Sequence, residues 1–457
     1  MEIHPAVASS SSGGDRFVLV GTVDGSVVIY DAMYAKTSGA GSGRNGREPV
    51  FVSNKRFGRR GGEHGVGTSR VARTSRGHEK SVSSVAWYPE DANAFFSASF
   101  DGTVKLWDAS RAEVEVTYAS GAESGRDGRR SGALGGGVSV GGGGGARIRD
   151  VSLSLSSHLN NDLVAIATDE PDVKLWDPGS NVVGMTLPKA HPGGCSKTAW
   201  SKENAFSVIT CGFEGRCAVW DARRCATPLF SMDRRRSSSE VEVGRSTSWS
   251  SLRKPIEFYD ENARAHADGI ESVLIHPNGR SVFTKGFGFR NDARVREWDL
   301  RTGRCDATKF ERFSKSSLST TTQNSRGVDA MNASAGGAAA QYRYSTTMSC
   351  TEDGVNIFAP SQDGSILVYD SRTGAISERL KCHADRVTSV QFAASECELF
   401  SASMDGFLVR WKSKGARAST RTTNTENRES ERDWVSDDEE DDEGIGVGTH
   451  RNVRARR

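Results

Sequence analysis

Four histidines in this chain are each followed at a near-constant distance by a tryptophan. His78 precedes Trp107, His191 precedes Trp220, His266 precedes Trp298 and His383 precedes Trp411, at spacings of 29, 29, 32 and 28 residues. Six residues before the closing aromatic an acid recurs, as Asp24, Asp101, Glu214, Asp292, Asp363 and Asp405, and four residues before three of these acids stands a hydroxyl, Ser97, Thr210 or Ser401. A hydroxyl, an imidazole and a carboxylate within mutual reach are the parts of a nucleophilic hydrolase, where the histidine takes the hydroxyl proton and the acid orients the ring. An enzyme needs one such set in a cleft. Here the set repeats along the chain and always ends in a tryptophan, which points to architecture: a buried hydrogen-bond chain of His, Ser or Thr, Asp or Glu, and Trp. Each net bond would contribute about 0.5–1.5 kcal/mol and pin the loops around it.

Other catalytic or ligand-holding patterns are missing from the sequence. There is no Gly-x-x-x-x-Gly-Lys phosphate loop, and the glycine run 141–145 follows no strand, so it reads as a flexible spacer. The eight cysteines contain no Cys-x-x-Cys and no zinc-like pairing with histidine, so they read as reduced, mostly buried thiols. The expectation is a non-catalytic protein with no cofactor and no metal.

The elements that must position the histidines are short strands. The strings TVKLWD (103–108), DVKLWD (172–177), RCAVWD (216–221) and RVREWD (294–299) recur, with weaker copies SVVIYD (26–31), SILVYD (365–370) and FLVRWK (407–412). Stretches such as SVSSVAWYP and AFFSASF alternate or run apolar for four to six residues, and the acid is usually followed by Gly, the chemistry of a tight turn between strands. Four strands per repeat would expose sheet edges, and radial arrangement protects them. Seven closures of this kind resemble the WD40 family and imply an all-β, seven-bladed propeller.

Composition sets the limits of that propeller. Of 457 residues 36% are hydrophobic, below the usual ~45–50%, while 50 are glycine. Successive closing aromatics lie 77, 69, 44, 78, 71 and 42 residues apart, so four junctions carry Gly-, Ser-, Arg- or Ala-rich insertions at about 35–76, 119–146, 233–262 and 308–341, expected to be disordered. The propeller is expected over 1–411 and a disordered tail over 412–457, with an unbroken acidic run at 437–443. The overall charge is +2, so the remainder of the chain is basic. That is compatible with a nuclear setting, though solubilisation is the simpler reading of both patches. No run reaches the ~18–20 apolar residues of a membrane helix, and MEIHPAVASSSSGG lacks the order of a signal peptide, so a soluble intracellular protein is expected. MEIHP reads as the innermost strand of blade one. Blade seven ends at Trp411 before the polar KSKGARASTRTTNT, so its outer strand is expected to be missing and its edge open.

Local strings carry a closer resemblance. SVSSVAWYPEDANAFFSASFDGTVKLWD (81–108), LVAIATDEPDVKLWD (163–177), VWDARR (219–224), GAISERLKCHADRVTSVQFAASECELFSASMDGFLVRW (374–411) and DWVSDDEEDDEG (433–444) resemble the Cockayne syndrome WD-repeat family, CSA. That resemblance implies a nuclear, non-catalytic substrate receptor of a cullin-4 RING ubiquitin ligase in transcription-coupled nucleotide-excision repair. Its implied partners are the triple-propeller adaptor and cullin-4 ligase, stalled RNA polymerase II and its repair ATPase, with no direct nucleic-acid or membrane contact. The family carries a helical segment ahead of blade one that inserts into the adaptor, and this sequence starts after it; if Met1 is the true start, docking is expected to rest on the propeller face alone.

Two Trp-Asp-x-Arg copies, Trp220-Asp221-Ala222-Arg223 and Trp298-Asp299-Leu300-Arg301, and the variant Tyr369-Asp370-Ser371-Arg372 put an arginine in the turn after the third strand. An exposed arginine there can donate bidentate, charge-assisted hydrogen bonds to a partner, or can simply be a good turn residue. In receptors of the family this motif marks adaptor docking, which assigns that role to Arg223, Arg301 and Arg372 with Asp221 and Asp299. Phe100, Phe213 and Met404, one residue before the turn acid, are the natural client anchors on the opposite face, and packing against neighbouring turns is the equal alternative. A general nuclear WD40 scaffold, binding chromatin or histones without a ligase, is the second functional class.

Overall fold

The computed structural model describes residues 1–3, 17–31, 51–52, 77–88, 91, 93–121, 145–154, 163–201, 203–234, 262–287, 294–306, 309–311, 344–394, 397–413 and 434–436. The regular elements among them are all strands, and these form seven four-stranded antiparallel sheets. Blade one is β1 (Glu2–Ile3), β2 (Phe17–Gly21), β3 (Val27–Asp31) and β4 (Phe51–Val52). Blade two is β5 (Val82–Trp87), β6 (Ala94–Ser99), β7 (Thr103–Asp108) and β8 (Glu113–Ala119). Blade three is β9 (Ile148–Leu153), β10 (Val164–Thr168), β11 (Val173–Asp177) and β12 (Val182–Leu187). Blade four is β13 (Cys195–Trp200), β14 (Ser207–Gly212), β15 (Cys217–Asp221) and β16 (Phe230–Met232). Blade five is β17 (Ile270–Ile275), β18 (Ser281–Gly286), β19 (Val295–Asp299) and β20 (Cys305–Asp306). Blade six is β21 (Ser349–Cys350), β22 (Asn356–Pro360), β23 (Ser365–Asp370) and β24 (Ile376–Lys381). Blade seven is β25 (Val387–Ala393), β26 (Glu398–Ser403), β27 (Leu408–Ser413) and β28 (Trp434–Ser436).

Each sheet is a simple meander, and apolar clusters fill the spaces between consecutive sheets. Leu19, Val27 and Ile29 pack with Val82, Trp87, Phe95 and Trp107 between blades one and two. Phe358, Ile366 and Val368 pack with Val387, Leu399 and Trp411 between blades six and seven. Ile3 and Val18 meet Ala393 and Phe400, joining blade seven to blade one. A fully buried side chain of this size contributes about 1.5–3 kcal/mol, so the inter-blade layers rather than the individual sheets hold the ring. The arrangement is a seven-bladed β-propeller.

In blades one, two, six and seven the turn between second and third strands is cut by Asp-Gly. Asp101 Oδ1 accepts the Thr103 N–H at 2.9 Å, and Asp405 Oδ1 accepts the Phe407 N–H at 2.9 Å. Gly25 shows why glycine must follow: its φ is +90°, and a Cβ there would come within 2.3 Å of the His78 carbonyl oxygen.

Ring closure departs from expectation. Blade seven does have a fourth strand, drawn from the tail: Trp411 pairs with Ser436, Lys412 with Val435 and Ser413 with Trp434. Strand pairing requires only backbone N–H and C=O groups, so a short segment in polar surroundings can supply it. The entropy of closing the intervening loop grows only slowly with length. The tail expected over 412–457 therefore includes residues of the propeller. β1 pairs with β2 as the innermost strand of blade one, and Ser389 Oγ on β25 donates to the Met1 carbonyl at 3.2 Å across the seam. β4 falls inside the first expected insertion; most of 35–76, 119–146, 233–262 and 308–341, the acidic run and Asp292 lie outside the described residues.

The meander divides the ring into two faces. Turns between second and third strands share one face with the links that enter the next blade; we call it the link face. First-to-second and third-to-fourth turns share the other, the arginine face. Backbone bonds tie these two turns together within a blade: Ala222 N–H to the Phe206 carbonyl (2.7 Å), Leu300 N–H to Arg280 (2.8 Å) and Ser371 N–H to Val355 (2.8 Å).

Candidate functional site

On the link face, blade two joins Trp107 Nε1 to Ser97 Oγ at 2.7 Å, Ser97 Oγ to His78 Nε2 at 2.7 Å, and His78 Nδ1 to Asp101 Oδ2 at 3.0 Å. Blade four joins Trp220, Thr210, His191 and Glu214 in the same order at 2.9, 2.8 and 2.7 Å. Blade seven joins Trp411, Ser401, His383 and Asp405 at 2.9, 2.8 and 3.0 Å. An indole N–H can only donate and a carboxylate only accepts, so the protons run one way: indole to hydroxyl, hydroxyl to Nε2, Nδ1–H to carboxylate. Ser97, Thr210 and Ser401 are 0% exposed, and a nucleophile in that position cannot meet a substrate.

Burial pushes the His78 imidazole below its ordinary pKa, against the opposing pull of Asp101. Burial would raise the Asp101 carboxyl, but the hydrogen bonds and charge of His78, with the Thr103 hydroxyl and the Glu79 N–H, outweigh it and hold the group well below the usual carboxylate range. For Asp405 burial is likewise outweighed, by the N–H groups of Phe407 and Ala384 and by His383.

Blade five changes the chemistry while keeping the layout. His266 Nε2 lies 2.8 Å from Thr284 Oγ1, which also accepts the Trp298 N–H at 2.8 Å, but Arg296 Nη1 stands 2.7 Å from His266 Nδ1. A guanidinium only donates, so here Nδ1 accepts and the ring proton sits on Nε2, the reverse of the other three blades. Thr284 lies fourteen residues before its tryptophan, whereas Ser97, Thr210 and Ser401 lie ten before theirs. The longer hairpin displaces it from the regular spacing, which is why a fixed-offset pattern passes over it.

On the arginine face each turn acid accepts the backbone N–H two residues on: Asp221 from Arg223 (2.9 Å), Asp299 from Arg301 (2.8 Å) and Asp370 from Arg372 (2.8 Å). The side chains then differ. Arg223 returns to Asp221 through Nε (3.0 Å) and Nη2 (2.9 Å), and its guanidinium carbon lies 4.1 Å from the Phe206 ring centroid. This holds a 56% exposed guanidinium in one orientation, and the Arg223 hydrogen bonds hold the Asp221 carboxyl below its ordinary pKa. Arg372 is 75% exposed and only loosely near Asp370, at 3.8 Å. Arg301 is exposed, and its guanidinium has no hydrogen-bond or ion-pair partner among the described residues. The chemistry this face offers is bidentate donation to a carboxylate or carbonyl edge. Phe206, the ring that orients Arg223, was not singled out in the sequence because it belongs to a different turn.

Two of the three expected client anchors are spent on internal packing. Phe100 and Phe213 are each 8% exposed and flank the buried Arg149, whose guanidinium carbon lies 4.9 and 5.2 Å from their ring centroids. Tyr344 packs on Phe100 and Phe287 on Phe213, and Arg149 Nε donates to Asp169 at 2.5 Å. The turn position sets where the chain is, but Arg149, from the blade between them, draws both rings into contact with its guanidinium. Met404 is exposed, as are Phe407 in the same turn and Val23 in the matching turn of blade one. Among the described residues, no three His, Cys, Asp or Glu side chains converge to hold a metal ion, and no helix is long and apolar enough to cross a membrane.

The family described as "WD domain, G-beta repeat" matches residues 69–108 and 374–412, so WD40 repeats are present. The chain is similar to the WD repeat-containing protein ATCSA-1 of Arabidopsis thaliana, 19% identical over 447 residues, which covers 88% of this chain and 83% of that protein. It is also similar to WDR12 homologues described as ribosome biogenesis proteins. That of Chlamydomonas reinhardtii is 26% identical over 223 residues, 48% of this chain and 41% of that protein, and that of Nematostella vectensis 24% over 163 residues, 35% and 32%. The chain spans less than half the length of these ribosome-biogenesis proteins.

Proposed function

We propose that this propeller is a substrate-receptor subunit of a cullin-4 RING ubiquitin ligase, acting in the nucleus in transcription-coupled nucleotide-excision repair. The observation that carries the reading is the extent of the likeness to the Arabidopsis CSA-type protein, which covers 88% of this chain and 83% of that protein. The arginine turns support it: Arg223, Arg301 and Arg372 project donors from one face, the chemistry by which such a receptor would dock on the triple-propeller adaptor. The receptor supplies no chemistry of its own. It holds a client, stalled RNA polymerase II or its repair ATPase, near the ligase, and tethering raises effective concentration into the millimolar range for short flexible links.

Cells lacking the protein would then lose preferential removal of ultraviolet lesions from transcribed strands, measured by strand-resolved lesion mapping. Wild-type recovery on both strands would remove the repair role. A second reading, a general nuclear scaffold without a ligase, draws on the likeness to ribosome biogenesis proteins. Affinity purification from nuclear extract separates the two: adaptor and cullin favour the first, pre-ribosomal or chromatin proteins without them the second.

A further inference from the structure

The core between blades four and five holds an arrangement of thiols that neither the ring architecture nor the proposed docking requires. Cys211, at the end of β14, and Cys217, at the start of β15, face each other directly across the hairpin, with Sγ atoms 3.5 Å apart and both side chains buried. The next pair toward the turn, Gly212 and Arg216, is hydrogen-bonded through Gly212 N–H at 2.9 Å, so Cys211 and Cys217 form a non-hydrogen-bonded pair. In such pairs the Cα atoms are about 4.5 Å apart, inside the roughly 4.4–6.8 Å range that disulfides span. Bond formation needs only the side chains to rotate. Cys195, the neighbouring thiol, is directed elsewhere: its Sγ donates to the carbonyls of Cys211 (3.3 Å) and Lys197 (3.4 Å).

We propose that Cys211 and Cys217 are a reversible redox pair, oxidised by a peroxide to a cross-strand disulfide that staples the second-to-third-strand turn of blade four. One thiolate attacks the peroxide O–O bond, giving a sulfenic acid and releasing water; the second thiol displaces that oxygen as a second water, closing the S–S bond. Two thiols lose two protons and two electrons, and hydrogen peroxide takes both as it becomes two molecules of water. A small thiol of the glutathione class reverses the step by exchange. The closed ring encloses Gly212, Phe213, Glu214, Gly215 and Arg216. These include the acid held by His191 and the ring packed on Arg149, so the staple fixes this turn of the link face. Both thiols lie in the core, and burial pushes the Cys211 thiol up, so the reaction proceeds through local opening of the hairpin and is slow in the resting protein.

The test treats the folded full-length protein with hydrogen peroxide, quenches, denatures, alkylates the remaining thiols and maps peptides by mass spectrometry. The expected result is joint loss of alkylation at Cys211 and Cys217, a peptide lighter by two hydrogens, recovery with dithiothreitol, and slower amide exchange over 212–216 in the oxidised form. Cys217→Ala should abolish the linked peptide while the exposed Cys382 is still oxidised. Should that variant misfold, the wild-type map decides alone. Full alkylation of both residues after exposure that consumes Cys382, or a linkage from Cys211 to Cys195, would overturn the proposal.

Discussion

The two faces of the ring spend the same residue types in opposite ways. On the link face, carboxylates, imidazoles and hydroxyls are buried and consume one another, so that Asp101 holds His78, His78 meets Ser97 and Ser97 accepts from Trp107. On the arginine face, Asp221, Asp299 and Asp370 satisfy backbone N–H groups while their arginines reach solvent with donors to spare. A satisfied, buried polar set fixes architecture; an oriented, exposed one is available to a partner. The contrast explains how a chain with repeated His, Ser and Asp sets can be a platform and not a hydrolase.

The sharpest way to break this contrast is to remove the middle of a buried chain. Ser97→Ala leaves the Trp107 N–H and His78 Nε2 unpaired in the core and should cost about 2–4 kcal/mol in urea unfolding. Arg301→Ala on the other face should stay within about 0.5 kcal/mol. A comparable cost at both positions would erase the distinction.

Acid should weaken the link face next. The folded pKa of His78 lies below its unfolded value, so its contribution is complete above pH ~6.5 and is lost as pH falls below that. The folded pKa of Asp101 lies below its unfolded value near 4, so its contribution is present above that pH and is lost on further acidification. Glu2 acts in the opposite sense: burial raises its carboxyl to about 7, so its contribution is full below its unfolded value and fades as pH rises toward 7. In a Glu2→Gln background, stability should therefore fall monotonically from pH 7 to 4, and replacing His78 by Gln should flatten that fall. A profile unchanged by His78→Gln would contradict the assignment.

A smaller effect sharpens the comparison within the link face. Nitrogen-15 spectra should report His266 protonated on Nε2 and His78, His191 and His383 on Nδ1. Arg296→Glu should invert His266 to match the others. The smallest effect is expected at Phe407→Ser, which replaces a 68% exposed ring and should leave stability within about 0.5 kcal/mol.

Much of the fold was legible because a blade is written locally: strand, Asp-Gly turn, strand and closing aromatic lie within a few tens of residues. What escaped was set by distance or by chemistry the pattern did not anticipate. β28 joins blade seven through backbone pairing from beyond a long polar stretch, which apolar periodicity cannot reveal. Arg296 stands at His266 Nδ1, a contact the repeated acid pattern does not anticipate, because a histidine ring nitrogen can accept as readily as donate. Phe100 and Phe213 sit in turns that look like exposed tips, yet their burial depends on Arg149 from another blade. The arginine turns could be located in the sequence, but not the difference between Arg223, clamped by Asp221 and Phe206, and Arg301, whose guanidinium has no partner among the described residues.

The most direct test of docking through the arginine face is a titration of purified full-length protein with the triple-propeller adaptor. Wild type is to be compared with the double variant Arg223→Glu, Arg301→Glu, with thermal unfolding measured on both. Reversing charge at two exposed donors should weaken binding about a hundredfold or more, the scale of losing hydrogen-bonded charge pairs at an interface, with unfolding unchanged. Equal affinity of the folded double variant and the wild type would contradict docking through this face.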